Sequence, residues 1–270
     1  MKFPIGFSMN DTEPRAQAQQ DELRDKTESQ ASMILVRFPG CNIPLSYYND
    51  QFDLKPGDIV FVEGKYAGTA GRVEKVSTDF HVNLEDYKKI LGVADTFVRG
   101  TFYQAGPSHL VTFDLNALPY RQALSWFKAL SGESFYINYE EDSFPLCEVG
   151  KWPFTQPILD RGLEYYKENK VVYLSLENGQ VKAIVTGSHP YEVAFSFSDG
   201  QVSCLKCDCP CGCGCKHEVA ALLQLREIMD AIEDQYPDRM GSRLSFAAVF
   251  KGSFFSFAVD ANQNATLTLS

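Results

Sequence analysis

The chain has no run of about 18 apolar residues, so no segment of it reads as a membrane-spanning helix. Positive charge is also scarce: 25 Lys and Arg face 35 Asp and Glu, for a net charge of −10. Non-specific affinity for nucleic acid comes from cations that neutralise phosphates and release counterions. Duplex DNA is therefore a disfavoured partner, and even residues 155–235 carry 7 Lys and Arg against 12 Asp and Glu. No glycine-rich phosphate loop or dinucleotide fingerprint is present. No nucleophile, base and orienting group occur at a recognisable spacing. The opening residues MKFPIGFSMN carry one basic residue and no small-residue cleavage pattern, which points to the cytoplasm rather than export.

An apolar fraction of 44% is that of an ordinary globular protein with a core to bury. At 270 residues, two modest domains are expected after a tail. Residues 1–32 are polar and aperiodic and read as a disordered tail. Residues 33–150 read as a β-rich module with short helices. Its strands are MILVRF, IPLSYYN, DIVFVEG and AGRVEKV, with Gly68 and Gly71 as turn residues. The stretch LKPGDIVFVEGKYAGTAGRVEKV resembles the paired strands of SH3-like barrels, which implies a small barrel. A short helix is expected over 83–92 and a longer one over 117–130. The longer one would be capped by Asn116, with Leu118, Ala123, Trp126, Phe127 and Leu130 buried.

Residues 151–270 are more legible. A helix over ILDRGLEYYKEN precedes VVYLSLE and QVKAIV, joined by Asn178-Gly179, then YEVAFSFS and QVSCLK, joined by Asp199-Gly200. Both dipeptides mark tight hairpins because both central positions need positive φ. A further amphipathic helix covers 218–234. The closing stretch, rich in Phe246, Phe250, Phe254, Phe255 and Phe257, is expected to form a carboxy-terminal β-hairpin. The fold class is α+β.

Six of the eight cysteines lie between 204 and 215. Thiols that close together suit metal thiolates in a reducing compartment better than disulfides. The run CDCPCGCGCKHEVAALL places two ligand pairs, Cys207 with Cys209 and Cys215 with His217, on either side of a short loop. Three thiolates and an imidazole favour Zn2+ in a closed tetrahedron and disfavour magnesium and calcium, which take oxygen. Cys204, Cys211 and Cys213 leave other tetrahedra open, and so does a second thiophilic ion. Iron–sulfur ligation is disfavoured because the spacing follows neither ferredoxin pattern.

The CxC, five-residue loop and CxH, set between a hairpin and an amphipathic helix, resemble the SWIM-type zinc finger. RGLEYYKENKVVYLSLENGQVKAIVTGSHPYEVAFSF is similar to the helix, paired strands and Gly-Ser-x-x-Tyr-x-Val lead-in of bacterial members. The resemblance spans roughly residues 155–230. It implies zinc held by Cys207, Cys209, Cys215 and His217, binding of DNA or of protein partners, and no catalytic activity in the finger. With the acidic charge, the expectation is a non-enzymatic, zinc-binding interaction module with a protein partner. The competing readings are a cysteine-rich metal-buffering or redox-sensing protein and an enzyme hidden in the amino-terminal half. His81, His109 and His189 stand apart and read as surface or hydrogen-bonded histidines. Cys41 and Cys147 read as inert thiols, and Glu140, Glu141 and Asp142 as a solvated loop.

Overall fold

The computed structural model describes residues 31–80, 86–130, 143–211, 214–241 and 244–260. Its first sheet has five antiparallel strands: β1 (Ser32–Arg37), β2 (Leu45–Asn49), β3 (Ile59–Val62), β4 (Gly71–Ser77) and β5 (Ile90–Val93), in the order β2-β1-β4-β3-β5. Ile34, Val36, Phe38, Tyr47, Val60, Val62 and Val73 pack into its core. Gly71 is a packing position and not the turn residue expected of it, because a Cβ there would lie 2.4 Å from Val36 and 2.6 Å from Phe38. Among the described residues no ladder joins the outer strands β2 and β5; a parallel bridge links Tyr48 to Lys89, the residue before β5. The sheet is therefore not a closed barrel, which corrects the expected SH3-like barrel to an open, curled sheet.

The second sheet has eight strands: β6 (Tyr103–Ala105), β7 (His109–Thr112), β8 (Phe144–Pro145), β9 (Val171–Glu177), β10 (Gln180–Thr186), β11 (Pro190–Ser198), β12 (Gln201–Cys207) and β13 (Phe246–Phe250). Their order is β6-β7-β13-β9-β10-β11-β12-β8. Strands from both sides of residue 150 thus share one sheet, and the expected division at 150 does not coincide with the boundary between the sheets. Asn178 and Gly179 (φ 49° and 75°) and Asp199 and Gly200 (φ 51° and 77°) turn the two hairpins. β9 is buried on both faces from Val171 to Leu176, which explains why its apolar residues do not alternate with exposed ones.

The longer helices among the described residues cover the sheet: α1 (Tyr120–Ser125), α2 (Gln156–Lys167) and α3 (Lys216–Gln235). Val219, Leu222, Leu225, Ile228 and Ile232 of α3 pack on Leu174, Val181, Val193, Phe195 and Val202. On a second cluster, Leu118, Ala123, Trp126 and Phe254 meet Tyr173, Ile184, Ala247 and Val249. No helix among the described residues is long and apolar enough to cross a membrane.

Three local expectations are corrected. The helix over 117–130 is shorter, because Leu118 precedes a proline and is pushed to an extended conformation (φ −152°, ψ 79°). A 3₁₀ turn at Leu115–Ala117 is capped by Asp114 instead of Asn116, α1 starts only after Pro119, and Leu130 is exposed. Ile90–Val93 forms β5 against β3, not the end of a helix, and residues 83–85 lie outside the described residues. β13 leads into helical turns over Lys251–Val259 instead of a hairpin partner, and residues 261–270 lie outside the described residues.

Candidate metal centre

β12 carries an extra residue opposite β11: Ser203 pairs with Ser196 and Lys206 with Ala194, leaving Cys204 and Leu205 across from Phe195. Cys204 takes the left-handed conformation that such a bulge needs, with φ 55°. Val202 faces the α3 side with Val193 and Phe195. Strict alternation would put Cys207 on the opposite face; the bulge adds one step and returns it to the α3 side, paired with Val193.

Asp208 then turns the chain. Its backbone N–H donates to Glu192 O (3.1 Å), and its carboxylate accepts from the Glu192 N–H (2.9 Å). The Glu192 carboxylate accepts from Lys128 Nζ and, at 2.7 Å, from the Tyr120 hydroxyl; Lys128 Nζ also lies 3.9 Å from Asp208. Residues of α1 and the turn after it thus pin the segment between the first two cysteines. Burial pushes the Asp208 carboxyl above its ordinary range.

Cys215 is the N-cap of α3. Its Sγ accepts from the backbone N–H of Glu218, and the Glu218 carboxylate accepts from the Cys215 N–H at 2.7 Å. His217 follows in the first turn and is 2% exposed. Gly214, just before the cap, lies against Phe154, where a Cβ would come within 3.1 Å.

The donor atoms of Cys207, Cys209, Cys215 and His217 all lie within 4.8 Å of one another. His217 Nδ1 is 3.7 Å from Cys207 Sγ and 3.6 Å from Cys215 Sγ. With bonds of about 2.3 Å to sulfur and about 2.0 Å to nitrogen, a tetrahedral zinc ion sets sulfur–nitrogen edges of about 3.5 Å. The arrangement fits such an ion. Hydrogen bonds from Cys207 and His217, with the helix N-terminus, hold the Cys215 thiol down to about 4 despite burial. Its hydrogen bond to Cys215 and burial push the Cys207 thiol far up, and burial pushes the Cys209 thiol up to about 12. These shifts favour a thiolate at Cys215 and protonated thiols at Cys207 and Cys209.

The structure brings together the four residues expected as ligands, and Cys204 and Cys211 are not among them. Cys213 lies outside the described residues, as do His81, Glu140, Glu141 and Asp142. Cys41 and Cys147 stand elsewhere. His109 is buried with Nε2 2.9 Å from Val171 O, and His189 packs edge-on at 6.5 Å from Tyr191. Sequence reasoning missed the supporting residues. Tyr191 was visible within the Gly-Ser-x-x-Tyr lead-in, whereas Lys128, 64 residues from Glu192, leaves no local signal.

Comparison with protein-family models, with curated proteins and with solved structures finds no match to this chain.

Proposed function

We propose that this protein is a non-enzymatic interaction module of the SWIM type, built around one structural zinc ion and working with a protein partner in the cytoplasm. The observation that carries it is the convergence of three sulfurs and one imidazole nitrogen within 4.8 Å. Four protein ligands leave no open position for substrate or water, which is the arrangement of structural zinc rather than catalytic zinc. Zinc would supply folding free energy by cross-linking the end of β12 to the start of α3. The order of helix, paired strands, hairpin, knuckle and amphipathic helix supports the SWIM-type reading.

The chain's own residues do the rest. Cys204 sets the face of Cys207, Glu192 with Asp208 fixes the turn, and the α3 cap holds Cys215 as a ready thiolate. The net charge of −10 favours a protein surface over a phosphate backbone as the partner.

Elemental analysis of the purified chain tests the metal. One zinc per chain, lost in His217→Ala and kept in Cys211→Ala, is the expected result. Iron, several metals or none would overturn the reading. Titration with duplex DNA at physiological salt tests the partner class, and sequence-specific binding there would replace protein with nucleic acid.

A further inference from the structure

We propose that His217 meets the metal through Nδ1, and that the ring of Tyr191 holds the imidazole in that orientation, no acceptor for its other nitrogen lying among the described residues. This rests on the metal-binding reading above. Nδ1 is the nitrogen aimed at Cys207 and Cys215. Nε2 is buried and has no hydrogen-bond partner among the described residues. When Nδ1 binds a metal, the proton of the neutral imidazole sits on Nε2.

A metal-bound histidine almost always donates its other N–H to a carboxylate, carbonyl or water, and that bond fixes the ring. Here two aromatic rings occupy the surroundings. Tyr191 stacks on the imidazole at 4.2 Å between centroids and 24° between planes. Tyr165 meets it edge-on at 5.5 Å and 65°. Contact area with these two rings opposes rotation of His217.

The stack is itself supported. Tyr191 lies at the start of β11, opposite Val185, and its hydroxyl is 2.9 Å from Ser188 Oγ. Gly187 makes the space: a Cβ there would lie 3.2 Å from the Tyr191 ring and 3.4 Å from the Tyr165 hydroxyl. Lys216 Nζ sits over the Tyr165 ring at 4.3 Å, a cation–π contact that helps to hold that ring. Tyr191 is therefore a positioning residue for a ligand it does not itself replace.

Two measurements on the full zinc-loaded chain test this. In a long-range 1H–15N correlation of histidine-labelled protein, His217 is expected to show metal-bound Nδ1 and protonated Nε2. In competition with a chromophoric zinc chelator, Tyr191→Phe should bind within about twofold of the parent. Tyr191→Leu should bind on the order of tenfold more weakly. Far-UV circular dichroism checks that the leucine variant folds, and Tyr191→Val, suited to a strand, replaces it otherwise. Metal on Nε2 overturns the assignment. An aliphatic variant as tight as the parent, or a phenylalanine variant as weak as leucine, removes the role of the ring. A parent chain that binds no zinc fails the metal reading itself.

Discussion

Cys207 faces helix α3 because Cys204, three residues earlier, occupies a bulge with φ 55°. The two cysteines look alike in the sequence, yet one supplies a donor atom and the other the extra backbone step that aims it. Replacing Cys204 by glycine suits a positive φ and keeps the step, so one zinc per chain and a stability within about 1 kcal/mol of the parent are expected. Deleting Cys204 removes the extra residue and leaves Leu205 opposite Phe195 and Cys207 still opposite Val193, so Cys207 keeps its face and metal binding should survive. One zinc per chain in both variants is therefore expected; loss in both would assign Cys204 a ligand's role instead.

Helices α2 and α3 cross at Gly162. A Cβ there would fall 2.3 Å from Val219 Cγ1 and 3.1 Å from Lys216 O, one residue ahead of His217. Gly162→Ala should destabilise by about 1–3 kcal/mol through overpacking, against the usual gain from alanine in a helix. Val219→Ala opens space on the same spot, so the double variant should recover part of the loss. Thermal melts of the four proteins measure the coupling. Strict additivity would mean that the two side chains do not meet.

Much of the second sheet could be read because its signals are local. Asn178-Gly179 and Asp199-Gly200 demand positive φ, and the periodicity of α3 runs unbroken over five turns. The metal quartet was readable for the same reason, since all four residues fall within 11 positions. What could not be read is long-range. β6, β7 and β13 carry no mark saying that they extend the sheet of β9, and the pairing of Ala248 with both Val111 and Leu174 spans more than half the chain. Ile90–Val93 looked helical by composition and became a strand because β3 offered an edge. The bulge at Cys204 was hidden by its residue type, since glycine or asparagine usually marks such a backbone.

At the proposed site a metal ion and protons would compete for the three thiols. In the metal-free site Cys215 is held down to about 4, so it is already a thiolate at pH 7. Cys207 and Cys209 are raised, so both are protonated there. Binding at pH 7 should therefore release about two protons per zinc, and loaded protein should lose its metal as the pH falls. Calorimetry in two buffers of different ionisation enthalpy counts them. Three protons would mean that the metal-free knuckle is unfolded, with every thiol near its ordinary value.

His109 gives a second pH dependence, away from the metal. It is 1% exposed in β7, and burial lowers its pKa, against a smaller opposing effect of the Val171 carbonyl. The unfolded chain binds a proton at about 6.5, and the folded chain resists it until lower pH. In that window the unfolded state holds more protons, so stability must fall as the pH drops below about 6.5 and level off below the folded pKa. Nε2 donates to Val171 O, a bond that a glutamine amide can imitate without titrating. In zinc-saturated protein, His109→Gln should thus show a shallower loss of melting temperature between pH 7.5 and 6 than the parent. Parallel curves would mean that the imidazole takes up its proton as easily in the fold as outside it.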